Sequence, residues 1–357
     1  MSILYSIQAL RGIACIAVIF SHSLAKGNKY LEFELPNIFV THYDSIILGH
    51  AGVDLFFVLS GFIIFFIHQN DFGGVHKIPK FIVSRLVRVV PIYWILTILA
   101  ACILLFLPEL FSHRSGIELP WLLGSFFFIP VSTSYGVDSP VLGVGWTLNY
   151  EMYFYSIFAL LLLFKRQVFF SIILFYSIYI LCVADYSMRS TSTYLDLMRS
   201  PMVVEFTLGV LAAWVYSNYK VELRTYKYGY LLVALCFYSY SFYDIPLTYI
   251  GRLLLWGAGG FFLVLYALCC ELQPKTIISK LAVKMGDISY SAYLLQVFTL
   301  PFFAKVFFGL GLNSIFGYWS FVVFLVVLTL LSSFIFWFTV EQTVTRYLKR
   351  RFISGLA

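Results

Sequence analysis

Ten apolar runs recur along this 357-residue chain, at roughly 5–25, 45–68, 86–107, 146–164, 167–184, 201–219, 228–245, 249–271, 287–310 and 319–340. A helix needs about 20 predominantly apolar residues to cross the hydrocarbon core, where its backbone groups must be satisfied within the helix itself. The repetition therefore predicts an all-α polytopic membrane bundle of about ten transmembrane helices. Composition supports the same solvent: 61% of residues are hydrophobic and only 11% charged, against about 25% charged in soluble domains.

Charge placement orients the bundle. With the N-terminus inside, the inner segments hold sixteen of the 24 lysines and arginines, including Lys77, Lys80, Arg85, Arg88, Lys165, Arg166, Arg346 and Lys349. The outer segments hold Lys26, Lys29, Arg114, Arg189 and Arg199, and three cations (Arg11, Arg252, Lys305) lie within runs. This bias follows the positive-inside rule and predicts cytoplasmic N- and C-termini. The net charge of +7 is then accounted for by inner loops and needs no nucleic-acid partner. The expected organisation is one integral-membrane domain over 1–345 and a short basic cytoplasmic tail over 346–357. The stretch PWLLGSFFFIP, 120–130, is apolar but too short to cross, so a re-entrant or interfacial piece is expected there. All six cysteines fall in apolar runs without metal-ligand spacing, so they are expected as small buried hydrophobes, and no metal site is expected.

The first run, LRGIACIAVIFSH, carries Arg11 and His22. A signal peptide keeps its positive charge before the apolar core, and no A-x-A site follows here. Eleven residues at about 100° each bring the two within ~20° of three full turns, on one helix face and ~16 Å apart. An ionisable side chain in a spanning helix costs on the order of 3 kcal/mol, so it normally faces a cavity or a partner.

Three more stretches break the apolar rule. GVDLFFVLSGF places Asp54 and Ser60 in the second run, with Gly52 and Gly61 permitting close helix approach. SRLVRVVPIYW puts Arg85 and Arg88 on one face at the inner end of the third run. These two are either snorkelling anchors or a phosphate clamp, since guanidinium groups match phosphate oxygens in bidentate geometry. GWTLNYEMYFY places Glu151 five residues past Trp146, about 7 Å below the outer entrance of its run. Glu151 is open to three roles: pairing an arginine, orienting a histidine, or acting as a base. Alternating topology puts His22 and Glu151 at one depth near the outer face, and Arg11, Arg85 and Arg88 at the opposite level. Arg199 and Glu205, six apart, fall near the outer end of the sixth run. Asp54 either binds a polar ligand or forms half of a buried ion pair.

Taken in order and spacing, Arg11-x10-His22, GVDLFFVLSGF, Arg85-x2-Arg88, Trp146-x4-Glu151, RSPMVVEFTLG (Arg199 to Gly209), GDISYSAYLL (Gly286 to Leu295) and Val340–Glu341 resemble the acyltransferase type 3 family of membrane O-acyltransferases. The chain looks closest to its single-domain exopolysaccharide and O-antigen acetyltransferases. The resemblance implies transfer of an acyl group, usually acetyl from cytoplasmic acetyl-CoA, to a sugar hydroxyl of a surface glycan or lipid-linked precursor, in a bacterial inner membrane. His22 matches the catalytic histidine of the family and Arg11 its partner. Arg85 and Arg88 match the arginines that bind CoA phosphates, and Arg11 is expected to join them in the donor site; Glu151 matches the acidic position. On the acceptor side the resemblance adds Trp146, Tyr290 and Gln296 to Asp54, Arg199 and Glu205. Where members often carry histidine in the late helix, this chain has Gln296, which hydrogen-bonds but does not titrate. His22 is thus expected to act as general base or to carry the acyl group briefly, with Glu151 fixing its tautomer. A transporter or flippase for a polar or lipid-linked substrate is the rival reading, since it too needs intramembrane charges above a basic vestibule. Against it, no internal repeat and no paired broken helices are visible.

Overall fold

The computed structural model describes residues 5–31, 47–106, 116–134, 136–183, 194–240, 248–270 and 272–353. Arg114 and Arg189, used in the charge count, and residues 354–357 of the tail lie outside them. Fifteen α-helices follow in order among the described residues: α1 Tyr5–Leu31, α2 Ile47–His68, α3 Ile78–Phe106, α4 Leu119–Phe127, α5 Trp146–Leu161, α6 Arg166–Val183, α7 Tyr194–Arg199, α8 Met202–Asn218, α9 Lys220–Thr225, α10 Lys227–Tyr240, α11 Tyr249–Arg252, α12 Ala258–Cys270, α13 Ile277–Gly309, α14 Tyr318–Phe336 and α15 Gln342–Phe352. Leu253–Gly257, between α11 and α12, and Trp337–Glu341, between α14 and α15, are π-helical turns. No strand occurs among the described residues.

The described residues of all ten apolar runs are mainly helical. Six helical segments are long and apolar enough to cross a bilayer: Tyr5–Leu31, Gly49–His68, Val75–Phe106, Ile250–Cys270, Ile277–Gly309 and Tyr318–Phe352. Arg166–Cys182 and Met202–Asn218 are shorter apolar helices. The 16 residues of α5 rise only about 24 Å, short of the ~30 Å hydrocarbon core. The membrane character is thus carried by the six long segments. Helix α4 has 9 residues, about 14 Å, and cannot span. Phe128 ends it in the left-handed region at φ 59°, and the Ile129 N–H returns to the Gly124 carbonyl at 2.8 Å.

The chain forms two compact units. The first comprises Met1–His68 with Pro201–Phe334. Its helices meet backbone to backbone. A Cβ on Gly61 would strike the carbonyl oxygen of Phe206, and one on Gly209 the carbonyl of Val58, so α2 and α8 approach as only glycine allows. On the other flank of α2, a Cβ on Gly52 would lie 2.9 Å from the Ala14 carbonyl oxygen of α1. Gly12 and Gly286 bring α1 against α13 in the same way: a Cβ on Gly12 would sit 2.8 Å from Met285 Cβ. The N-terminus of α13 is closed by a capping box, Ser279 N–H to Thr276 Oγ1 at 3.2 Å and Thr276 N–H to Ser279 Oγ at 3.0 Å.

The second unit comprises Gln69–Ser200 with Ile335–Ala357. Trp94 Nε1 on α3 donates to the Phe126 carbonyl at 2.9 Å, and Trp121 Nε1 donates to the Ser139 carbonyl at 2.8 Å. These two indoles tie the short α4 and the loop after it to α3. Phe72, Phe158 and Phe169 pack as an aromatic cluster with centroids 4.7–5.9 Å apart. The basic tail continues as helix α15, which packs on α3.

One expectation is corrected. Of the six cysteines, all free, only Cys15 is buried; Cys269 is half-buried and Cys102, Cys182, Cys236 and Cys270 are exposed. In a bilayer the outer surface of a helix is itself apolar, so a thiol gains little from burial.

Candidate functional site

In the first unit Arg11 and His22 do share a face of α1, and both turn to α13. Arg11 donates to Ser289 Oγ at 3.1 Å and to Gln8 Oε1 at 3.1 Å. Gln8 in turn donates to Asp287 Oδ1 at 2.7 Å. Three turns farther along α1, His22 Nδ1 lies 3.0 Å from Gln296 Oε1. The amide of Gln296 is oriented by its own helix, because its Nε2 donates to the Tyr293 carbonyl at 2.9 Å. Its oxygen can only accept, so Nδ1 of His22 carries the proton and Nε2 keeps its lone pair. Gln296 is buried while His22 is exposed, so one ring nitrogen is held and the other is accessible. Within this unit the partner that holds Nδ1 of His22 is Gln296. Tyr290, on the same helix, is half-buried.

The remaining ionisable residues of this unit gather separately. Asp54 of α2 accepts from Arg252 Nη2 at 2.6 Å and Nε at 3.3 Å, which realises the ion-pair reading of Asp54. Glu205 of α8 does not border an opening: it is 0% exposed and lies in electrostatic range of Asp54 and Arg252. His50 of α2 stacks on Trp256, with centroids 5.8 Å apart and planes 3° from parallel.

In the second unit Arg85 is buried at 8% exposure. Its guanidinium lies 5.7 Å from the Phe81 ring centroid and 6.0 Å from that of Tyr155. It hydrogen-bonds Tyr155 and sits in electrostatic range of Arg88 and Glu151. The Tyr155 hydroxyl donates to Glu151 Oε1. This corrects the expected separation of Glu151 from the arginines by depth. Helix α5 is short, Tyr155 lies one turn beyond Glu151, and the long Arg85 side chain spans the rest. Of the roles open to Glu151, this unit realises pairing with an arginine through a phenol. Trp146 starts α5, edge-on to Tyr150 at 6.0 Å, and Arg199 is exposed at the end of α7.

The sequence reading missed several neighbours. His50, Trp256 and Tyr238 carry no motif of their own. Lys349 of α15, taken as tail, lies in electrostatic range of Arg85 and Arg88. Arg252 was visible as a charge inside an apolar run, which is the signal that marked Arg11. Among the described residues no group of histidines, cysteines and carboxylates is arranged to hold a metal.

A family profile described as an acyltransferase domain matches residues 4–338. Exopolysaccharide production protein ExoZ of Rhizobium meliloti (strain 1021) is 31% identical over 276 residues, 75% of this chain and 81% of that protein. Peptidoglycan O-acetyltransferase OatA of Listeria monocytogenes serovar 1/2a is 30% identical over 176 residues, 46% of this chain and 25% of that protein. No solved structure matches the chain. The profile runs from the start of α1 into the π turn after α14 and includes His22, Glu151 and Gln296. The chain therefore belongs to the acyltransferase type 3 family, an O-acyltransferase built on membrane-crossing helices.

Proposed function

We propose that this protein moves an acetyl group from cytoplasmic acetyl-CoA to a sugar hydroxyl of a surface polysaccharide or its lipid-linked precursor, in a bacterial inner membrane. The observation that carries the reading is the fixed tautomer of His22. With Nδ1–H given to Gln296 Oε1, the accessible Nε2 takes the proton of the acceptor hydroxyl. The oxygen attacks the thioester carbonyl carbon, the C–S bond breaks, and the imidazolium returns its proton to the departing CoA thiolate. Base catalysis of this kind contributes typically 10²–10⁴-fold. The glycan acceptor is supported by the exopolysaccharide and peptidoglycan named for the two relatives.

In the same reading the basic group of Arg85, Arg88 and Lys349 holds the CoA phosphates, and ten helices cross the membrane with both chain ends in the cytoplasm. Support comes from the inner excess of lysine and arginine and from the helical state of the described residues in all ten runs. The test is an assay of membranes with acetyl-labelled CoA and isolated glycan. Label should move to the glycan; label remaining on CoA, inside or outside vesicles, contradicts transfer and favours transport. Arg88→Ala should raise KM for acetyl-CoA roughly ten- to hundredfold, the effect of losing a charge-assisted hydrogen bond. A fall in kcat with KM unchanged removes Arg88 from donor binding.

A further inference from the structure

The transfer step uses His22 and Gln296 and leaves the two lysines at the far end of α1 without a task. Positive charge is sparse on the outer side of this chain: Lys26 and Lys29 are two of only five cations there on the charge reading, against the bias of membrane proteins. They follow His22 at i+4 and i+7 on one continuous helix, Tyr5–Leu31, so all three share a face. Along the axis Lys26 stands about 6 Å and Lys29 about 10 Å beyond His22. His22 and Lys29 are exposed and Lys26 is half-buried, so this face is open. 

The same end of α1 borders an apolar groove in the same unit. Tyr30 stacks on Phe308 of α13 with ring centroids 5.5 Å apart. The Tyr318 hydroxyl, at the start of α14, lies 3.0 Å from the Leu24 carbonyl oxygen and 2.9 Å from Asn28 Oδ1. Beside these contacts a groove of about 510 Å³ is lined by Phe307, Leu312, Phe316, Trp319, Val323 and Val327, among others. Trp319, Val323 and Val327 recur every fourth residue, so the groove runs two turns, about 12 Å, along α14. All three are exposed. Any lipid covers a convex helix face, whereas a concavity of this volume is in the range of small-molecule sites.

The two features select a ligand with two parts. Paired ammonium groups suit a phosphate, and the groove suits a hydrocarbon chain that enters from the bilayer. A free polysaccharide has neither part; a saccharide carried on a lipid phosphate has both. We propose that Lys26 and Lys29 hold the phosphate of a lipid-linked saccharide whose hydrocarbon chain lies in the α13–α14 groove, which sets the phosphate-proximal sugar at His22. A sugar ring is about as long as one helical turn, the interval between Lys26 and the imidazole. This rests on the acetyl-transfer reading above and selects the lipid-linked precursor from its two acceptors.

The experiment uses the full-length purified protein in detergent, acetyl-labelled CoA and two acceptors: the saccharide on its lipid phosphate, and the same saccharide after acid release from it. Wild type should show a KM at least tenfold lower for the lipid-linked form. The double variant Lys26→Gln/Lys29→Gln removes both charges, and Val323→Trp fills the groove. Each should raise KM for the lipid-linked form about tenfold, toward that of the released saccharide, while KM for acetyl-CoA stays within about twofold. Equal KM values for the two acceptors in an active wild type overturn the site and leave the transfer reading standing. Unaltered KM in both variants, or an equal loss on both acceptors, also overturns it. Phosphatidylglycerol that competes as well as the lipid-linked acceptor marks a general lipid seat and overturns it too. A wild type that labels neither acceptor overturns the transfer reading and the site together.

Discussion

His22 and Gln296 are 274 residues apart in the chain and 3.0 Å apart in the fold. The histidine was legible because a lone ionisable side chain in an apolar run stands out, and its phase with Arg11 followed from helical repeat alone. Its partner was not. Periodicity reports which residues share a face of one helix and says nothing about which helix that face meets. Gln296 does not titrate, so it drew attention only as a departure from the family pattern, while Glu151 seemed the natural third group. The same blindness applied to Asp54 and Arg252, each visible as a charge in an apolar run and each unpaired on paper. The His22–Gln296 contact makes a prediction at this scale. Gln296→Leu should lower kcat about 10²-fold with both KM values little changed, because a ring free to carry its proton on either nitrogen loses the orientation that a triad's third member provides. Gln296→Glu, which still accepts from Nδ1, should retain most activity. Equal activity in the leucine variant contradicts the tautomer role.

At the level of elements, the bilayer made the helices easy to read and their irregularities hard. Long apolar runs have one solution in lipid, so the described residues of all ten are mainly helical, and six helical segments are long enough to cross. The π turns at Leu253–Gly257 and Trp337–Glu341 carry no sequence signature, since they add one residue to a turn without a change of residue type. The first of them sets Arg252 and Trp256 into the buried cluster, so the feature that shapes that cluster was the one least visible. Helix contacts, by contrast, are written in glycine. Gly61→Ala forces a methyl onto the Phe206 carbonyl and should cost about 1–3 kcal/mol as overpacking. It should be seen as a lower melting temperature in detergent. Gly229→Ala, inside α10 with nothing within 4 Å of the added carbon, should be neutral or stabilising by up to about 1 kcal/mol. Equal melting temperatures for the two variants contradict close α2–α8 packing.

For the whole molecule, charge asymmetry was the most informative quantity in the sequence. It predicts an orientation for every loop from counts alone, and the basic residues near the end of the chain lie on helix α15, which packs on α3. A fluorescent protein that matures only in the cytoplasm, fused after Phe352, should fluoresce, whereas alkaline phosphatase at the same position should be inactive. The opposite pair of results reverses the topology and with it the side from which acetyl-CoA enters. The cysteines taught the complementary lesson: burial rules drawn from soluble cores fail on a surface that faces lipid.

All of these scales converge on a single imidazole. The most direct measurement compares the initial rate of acetyl transfer from labelled acetyl-CoA to glycan by purified wild type and by His22→Ala, after both have been shown to elute as one monodisperse species in detergent. The account predicts that the variant folds and inserts normally while its kcat falls by about 10²–10⁴-fold, the contribution of a positioned base. A His22→Ala protein that transfers acetyl groups at the wild-type rate contradicts it.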